Sequence, residues 1–164
     1  MNATSNLTLA DTGLGTSFER WALNRVLLYL SKTYSIQSVL EGPGDGMTGI
    51  AGINSLILGL QGNRVTLILD NAERAAYARQ VWAIQAPQSA FDIQETVETI
   101  FPDNSFDLVW NFNVLTRAAD PRTLLGEMKR VSRRYVFFCV PNADNYSFWL
   151  HPLHHRVANQ AWST

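Results

Sequence analysis

The sequence predicts a doubly wound α/β fold: a mainly parallel sheet of about five strands with helices on both faces. Three observations lead there. Short apolar runs alternate with helix-period segments along the chain. Those runs are continuous instead of alternating with polar residues, as strands buried on both faces require. The first of them stops at a glycine cluster, Glu41-Gly-Pro-Gly-Asp-Gly46, and a strand running into such a cluster and then a helix opens a βαβ unit.

Each element follows in order. Residues 1–16 are polar and aperiodic and are expected to form a mobile leader. Residues 17–34 turn helical, with Ser17 as N-cap and a broad apolar face from Phe18, Trp21, Leu23, Val26, Leu27, Leu28 and Leu30. The first strand spans 36–40, and the glycine cluster leads into a helix over 48–59 that itself contains Gly49 and Gly52. Residues 64–70 form a strand ended by Asp70, and Asn71 caps an alanine-rich helix from 72 to about 84. A weaker strand at 90–93 and an irregular stretch at 94–100 come next. The turn Pro102-Asp-Asn-Ser105 delivers the chain into a strand over 106–112. Asp120 and Pro121 open a helix running to about 132, and 134–140 is the last strand before Pro141.

Composition narrows the function classes. The chain has 164 residues, enough for one domain, of which 46 % are hydrophobic and 16 % charged, a globular balance. Thirteen basic and fourteen acidic side chains nearly cancel, so neither a nucleic-acid binder nor an anionic-membrane binder is expected. Cys139 is the single cysteine, which excludes an internal disulfide and fits a reducing cytoplasm; within its apolar run it reads as a buried structural thiol. No apolar run reaches the ~18 residues of a membrane span, and no basic segment followed by an apolar stretch marks a signal peptide.

The order of these features carries a resemblance. A glycine-rich loop follows strand one, an acid ends strand two, Pro102-Asp-Asn-Ser-Phe-Asp-Leu-Val109 leads into strand four, and Asp120-Pro121 opens a helix. Between residues 38 and 142 this succession resembles the class I S-adenosylmethionine-dependent methyltransferases. The resemblance implies a Rossmann-like methyltransferase fold over 17–142 that binds S-adenosylmethionine, and methyl transfer to a small-molecule acceptor. It also implies roles for residues. Gly42, Gly44 and Gly46 would let the backbone pass under the cofactor where a Cβ would clash, and Asp70 would accept both ribose hydroxyls. Asp92, with Glu95 next, stands where an acid lies beside the adenine. Asn111 and Asn113 close strand four, where a polar residue faces the transferred methyl. Asp107 looks structural.

The departures are as informative. Glu41 immediately precedes the first glycine, one place closer than usual, and Asp70 sits one place later than usual. Either both loops differ by a residue or one acid points away from the ligand. The family completes its sheet with an antiparallel hairpin that this chain lacks, so the fold is expected to be C-terminally incomplete. Residues 143–164 read as a loop and then a helix, lying on the substrate side or covering the sheet edge. A second copy covering that edge, as a homodimer, is another outcome, and a longer parent protein is the third and the one expected. His151 and His154 are candidate general bases there, because imidazole titrates near neutrality, while the His-Pro-Leu-His-His155 spacing fits no zinc pattern.

Two other readings remain in view. A non-catalytic methyltransferase-like domain, serving binding or protein interaction, is the alternative that the missing strands favour. A nicotinamide-dependent oxidoreductase would need Gly-x-Gly-x-x-Gly, which Glu41-Gly-Pro-Gly-Asp-Gly-Met47 does not supply.

Overall fold

A computed structural model describes residues 14–44, 50–94, 100–140 and 142. Its elements in chain order are α1 (Leu14–Thr33), β1 (Ser38–Glu41), α2 (Leu56–Leu60), β2 (Arg64–Ile68), α3 (Ala72–Gln85), β3 (Phe91–Gln94), β4 (Phe106–Phe112), α4 (Pro121–Val131) and β5 (Ser132–Cys139). The strands form one five-stranded parallel sheet in the order β3-β2-β1-β4-β5, the doubly wound architecture expected. After β3 the chain returns to lay β4 on the far side of β1. The carboxyl ends of β1 and β4 therefore flank the switch point where ligands settle in open α/β sheets.

Two apolar layers hold the sheet. On one face Val39, Val65, Leu67, Leu108 and Trp110 pack with Leu23 and Leu27 of α1 and with Ala75, Ala78 and Trp82 of α3. The small alanines let α3 approach closely, so Trp82 stacks on Phe91 of β3 with ring centroids 3.9 Å apart. On the other face Leu40, Ile68 and Val109 meet Met128 and Val131 of α4. The helix starts follow the expected caps. Asn71 accepts a hydrogen bond from the Arg74 N–H, and Asp120 accepts from the Arg122 and Thr123 N–H groups with Pro121 in the first helical position.

Asp107 has the structural role expected of it. Its Oδ2 accepts from the Gln37 and Ser38 N–H groups at 2.9 and 3.0 Å, tying β4 to the entry of β1. Burial pushes this carboxyl up, but the bonds from Gln37 and Ser38 and the Arg133 guanidinium together hold it below the usual aspartate value.

Several expectations need correction. α1 starts at Leu14, so Ser17 lies inside the helix instead of capping it. Of its expected apolar face, Leu23 and Leu27 are buried, whereas Phe18, Trp21 and Val26 are exposed. The expected helix over 48–59 is turns from 51 to 55 and a helix only from Leu56, because Gly52 takes a left-handed φ of +75° beneath which Leu67 fills the space of a side chain. β5 begins at Ser132, and Cys139 is half-buried, not buried, because β5 is an edge strand among those described. The leader up to residue 13 and the tail from 143 lie outside the described residues.

Candidate functional site

β1 delivers Glu41 and Gly42 to the switch point, where the Gly42 N–H donates to the Trp110 carbonyl of β4 at 3.0 Å. Glu41 points away from the edge. The residue is 2 % exposed, and its carboxyl accepts from the Ser55 hydroxyl at 2.5 Å and from the Gly52 N–H as well. Ser55 Oγ in turn accepts from Trp110 Nε1 at 3.0 Å. Ser55 stands before α2 without capping it, since its hydroxyl is committed to Glu41. Burial pushes the Glu41 carboxyl up to about 7, against the opposing bonds from Ser55 and Gly52. Of the two displaced acids, then, Glu41 is the one turned into the core.

The glycines beyond it are pressed onto β2. A Cβ on Gly44 would stand 2.5 Å from Leu69 Cδ2 and 3.2 Å from the Ile68 carbonyl oxygen, and one on Gly42 would meet the Ile68 side chain at 3.0 Å. The close approach these residues permit is therefore already used by the protein's own packing. Arg74, on the first turn of α3, reaches toward the Gly44 carbonyl with an Nη2 to oxygen distance of 3.5 Å.

Asp70 lies two residues past β2, exposed, and its carboxylate has no hydrogen-bond or ion-pair partner among the described residues. Asp92 sits elsewhere. It pairs with Thr66 in the middle of the sheet edge, β3 continues to Gln94, and its carboxylate accepts from the Ile93 N–H at 2.8 Å and from Gln94 Nε2 at 2.9 Å. The acid expected at the end of strand three is thus not at that end.

At the close of β4, Asn111 is fully buried. Its Nδ2 donates to Met128 Sδ at 3.2 Å, and its Oδ1 has no partner among the described residues, which is unusual for a buried amide. Asn113 turns out of the strand at φ +57°; its N–H donates to the Cys139 carbonyl at 2.7 Å and its Oδ1 accepts from the Thr116 hydroxyl at 3.2 Å. The Cys139 thiol is pushed up by burial and by the Glu19 carboxylate, so it stays protonated at neutral pH.

The fold thus gathers Gly42, Gly44, Asp70, Asn111 and Asn113 along the carboxyl edge of β1, β2 and β4, leaves Glu41 beneath them and Asp92 aside. Gly46, Glu95, His151, His154 and His155 lie outside the described residues. Ser55, Trp110 and Arg74 were missed by sequence reasoning. Nothing in their spacing marks them, because their partners are set by the sheet crossing.

The methyltransferase domain family matches residues 48–140. The chain belongs to this family. The match opens after the glycine cluster and runs from before α2 through β5, so it does not include the loop. An uncharacterized methyltransferase of Schizosaccharomyces pombe is 29 % identical over 130 residues, 77 % of this chain, and the chain spans only 46 % of that relative's length. Among solved structures, an S-adenosylmethionine-dependent methyltransferase from Aquifex aeolicus superposes with a TM-score of 0.61 at 17 % identity, covering 88 % of this chain and 78 % of that one. The plantazolicin methyltransferase BpumL, in complex with a monoazolic desmethylPZN analog and SAH, gives 0.62 at 16 % identity, covering 90 % and 55 %. At these identities the likeness shows the fold: this is a Rossmann-like class I methyltransferase fold.

Proposed function

We propose that the chain binds S-adenosylmethionine across the carboxyl edge of β1, β2 and β4 and transfers its methyl group to a small-molecule acceptor. The observation that carries this reading is the unengaged carboxylate of Asp70, one strand away from the Gly42–Gly44 turn at the switch point. A free carboxylate in that position suits a vicinal diol such as a ribose. The unpartnered Oδ1 of Asn111 adds a buried acceptor on β4. When bound, S-adenosylmethionine supplies an already activated sulfonium methyl. The chain's own task is then to hold the acceptor in line with that methyl. Asn111 and Asn113 are neutral amides suited to orientation, and His151 and His154 remain the candidates for any proton removal. The small-molecule acceptor follows from likeness to proteins such as BpumL, and a cytoplasmic setting from the single cysteine.

Titration calorimetry with S-adenosylmethionine, S-adenosylhomocysteine and a nicotinamide dinucleotide tests the reading: heat is expected from the first two and none from the third. Asp70→Ala removes charge-assisted hydrogen bonds of roughly 1.5–3 kcal/mol each, so affinity should fall at least tenfold. Unchanged affinity in that variant would make Asp70 a bystander. Gly44→Val is unsuitable here, because its side chain would strike Leu69 whether or not a ligand binds.

A second reading, a non-catalytic methyltransferase-like binding or interaction domain, draws on the inward turn of Glu41. That turn leaves neutral amides as the polar side chains at the end of β4. Cofactor binding without transfer to any of a panel of hydroxyl, amine and thiol acceptors would favour it.

A further inference from the structure

The opposite, amino-terminal edge of the sheet carries a second feature, independent of the cofactor reading. Between the last turn of α1 and β5 lies a cleft of about 190 Å³ lined by Leu30, Tyr34, Ile36, Leu108, Tyr135 and Phe137. Leu108 pairs with Tyr135, three residues before Asn111, so the cleft sits about 10 Å down the strands from the carboxyl edge at about 3.3 Å per residue. Its walls are mainly apolar, and the rings of Tyr34 and Tyr135 that line it have centroids 4.7 Å apart.

The rim is positive. Arg134 is fixed there: its Nη1 donates to the Tyr34 carbonyl at 2.9 Å, and its guanidinium lies 5.1 Å from the centroid of the Tyr135 ring. A polar hollow adjoins the cleft at Ile36 and includes Lys32. No acidic residue lines either hollow among the described residues. Arg133, the residue before Arg134 on β5, is exposed, with Asp107 set against it at 3.4 Å.

We propose that this cleft docks an acidic peptide segment of a partner protein, one bulky apolar side chain entering the cleft while neighbouring carboxylates meet Arg134 and Lys32. Size selects a side chain over a whole small molecule, since pockets for the latter run to about 300–1,000 Å³. Charge selects the acidic flanks, because a positive rim speeds and orients the encounter with a negative segment. It also argues against the chain's own residues 143–164, whose one acid, Asp144, stands against Arg156 and three histidines.

Fluorescence anisotropy on the full chain tests this with three labelled peptides: one phenylalanine flanked by glutamates, the same with alanine for phenylalanine, and the same with lysines for glutamates. The first should bind at least tenfold more tightly than the other two, and its affinity should drop with added salt. Arg134→Glu, which reverses the rim charge, and Leu30→Trp, which fills the cleft, should each weaken it at least tenfold while thermal unfolding confirms that both variants fold. Equal binding of the alanine peptide would reduce the effect to surface charge and overturn the docking cleft. No binding of the first peptide, or binding that both folded variants leave unchanged, would overturn it too.

Discussion

The two flanks of β4 differ sharply. On its β1 side, polar atoms are sunk into the sheet and joined: Glu41 to Ser55, Ser55 to Trp110, and Asp107 to the Gln37 and Ser38 N–H groups. On its β5 side the pairing carries a register shift between Phe106 and Leu108, and Phe138 is 44 % exposed at the outer strand. Both flanks read as apolar strands in the sequence. The difference teaches that such a run announces a strand but not its depth in the sheet, which depends on what covers it. It also separates a region built to hold its geometry from one that still offers surface.

The largest expected effect lies on the β1 flank. Trp110 is fully buried and its ring nitrogen is committed to Ser55. Trp110→Ala should cost about 3–5 kcal/mol in urea unfolding, from the cavity and from the orphaned Ser55 network. A cost below about 1 kcal/mol would mean the seam relaxes freely and the contrast with β5 is false.

Next comes the pH response of Glu41. Its carboxyl is raised from an ordinary value near 4.5 to about 7, so the folded state holds a proton there that the unfolded chain has released between those values. Stability from this group is therefore greatest at low pH and declines as pH rises from about 4.5 to 7. The total is at most about 3.5 kcal/mol, at about 1.4 kcal/mol per unit. Glu41→Gln should remove that slope, becoming more stable relative to the parent as pH rises and level above 7. Parallel pH profiles for the two proteins would show that Glu41 is solvated in solution and that the seam is open to water.

Asp107 should respond in the opposite sense. Its folded value is depressed, so its contribution is present above the unfolded aspartate value near 3.9 and lost as pH falls below it. Asp107→Ala leaves the Gln37 and Ser38 N–H groups without their acceptor and should cost about 1–3 kcal/mol at neutral pH, with the loss shrinking in acid. A constant loss at every pH would assign the effect to packing alone.

How much of this was legible beforehand follows the same division. The sheet and the Asn71 and Asp120 caps rest on local rules, apolar runs and capping side chains that read the same in any context, whereas the role of Asp107 was legible only through the family resemblance. The inward turn of Glu41 does not. Side-chain direction in a strand flips with a one-residue change in register, and only the pairing of Glu41 with Leu67 and Trp110 settles which face it takes. Gly52 misled for a related reason. A glycine inside an apparent helix carries no mark of whether it will adopt the left-handed conformation that ends the pattern. Asp92 read as a strand end because β3 has too few residues for its terminus to be fixed by periodicity; it runs two residues further, to Gln94.

The smallest expected effect tests the other side of the comparison. Phe138 pairs with Asn111 on β4 and stands nearly half exposed. Full burial of a phenylalanine is worth about 1.5–3 kcal/mol relative to exposure, so Phe138→Ala should cost only about 1 kcal/mol. Its reading depends on protein concentration. If the edge of β5 is free, the cost stays near that value from micromolar to near-millimolar protein. If a second copy covers the edge, the parent gains stability with concentration by mass action while the variant gains less, so the cost grows across the series. A cost of 3 kcal/mol or more that does not change with concentration would instead mean that Phe138 is buried within its own chain, and β5 would have to be moved from the open flank of the sheet to the closed one.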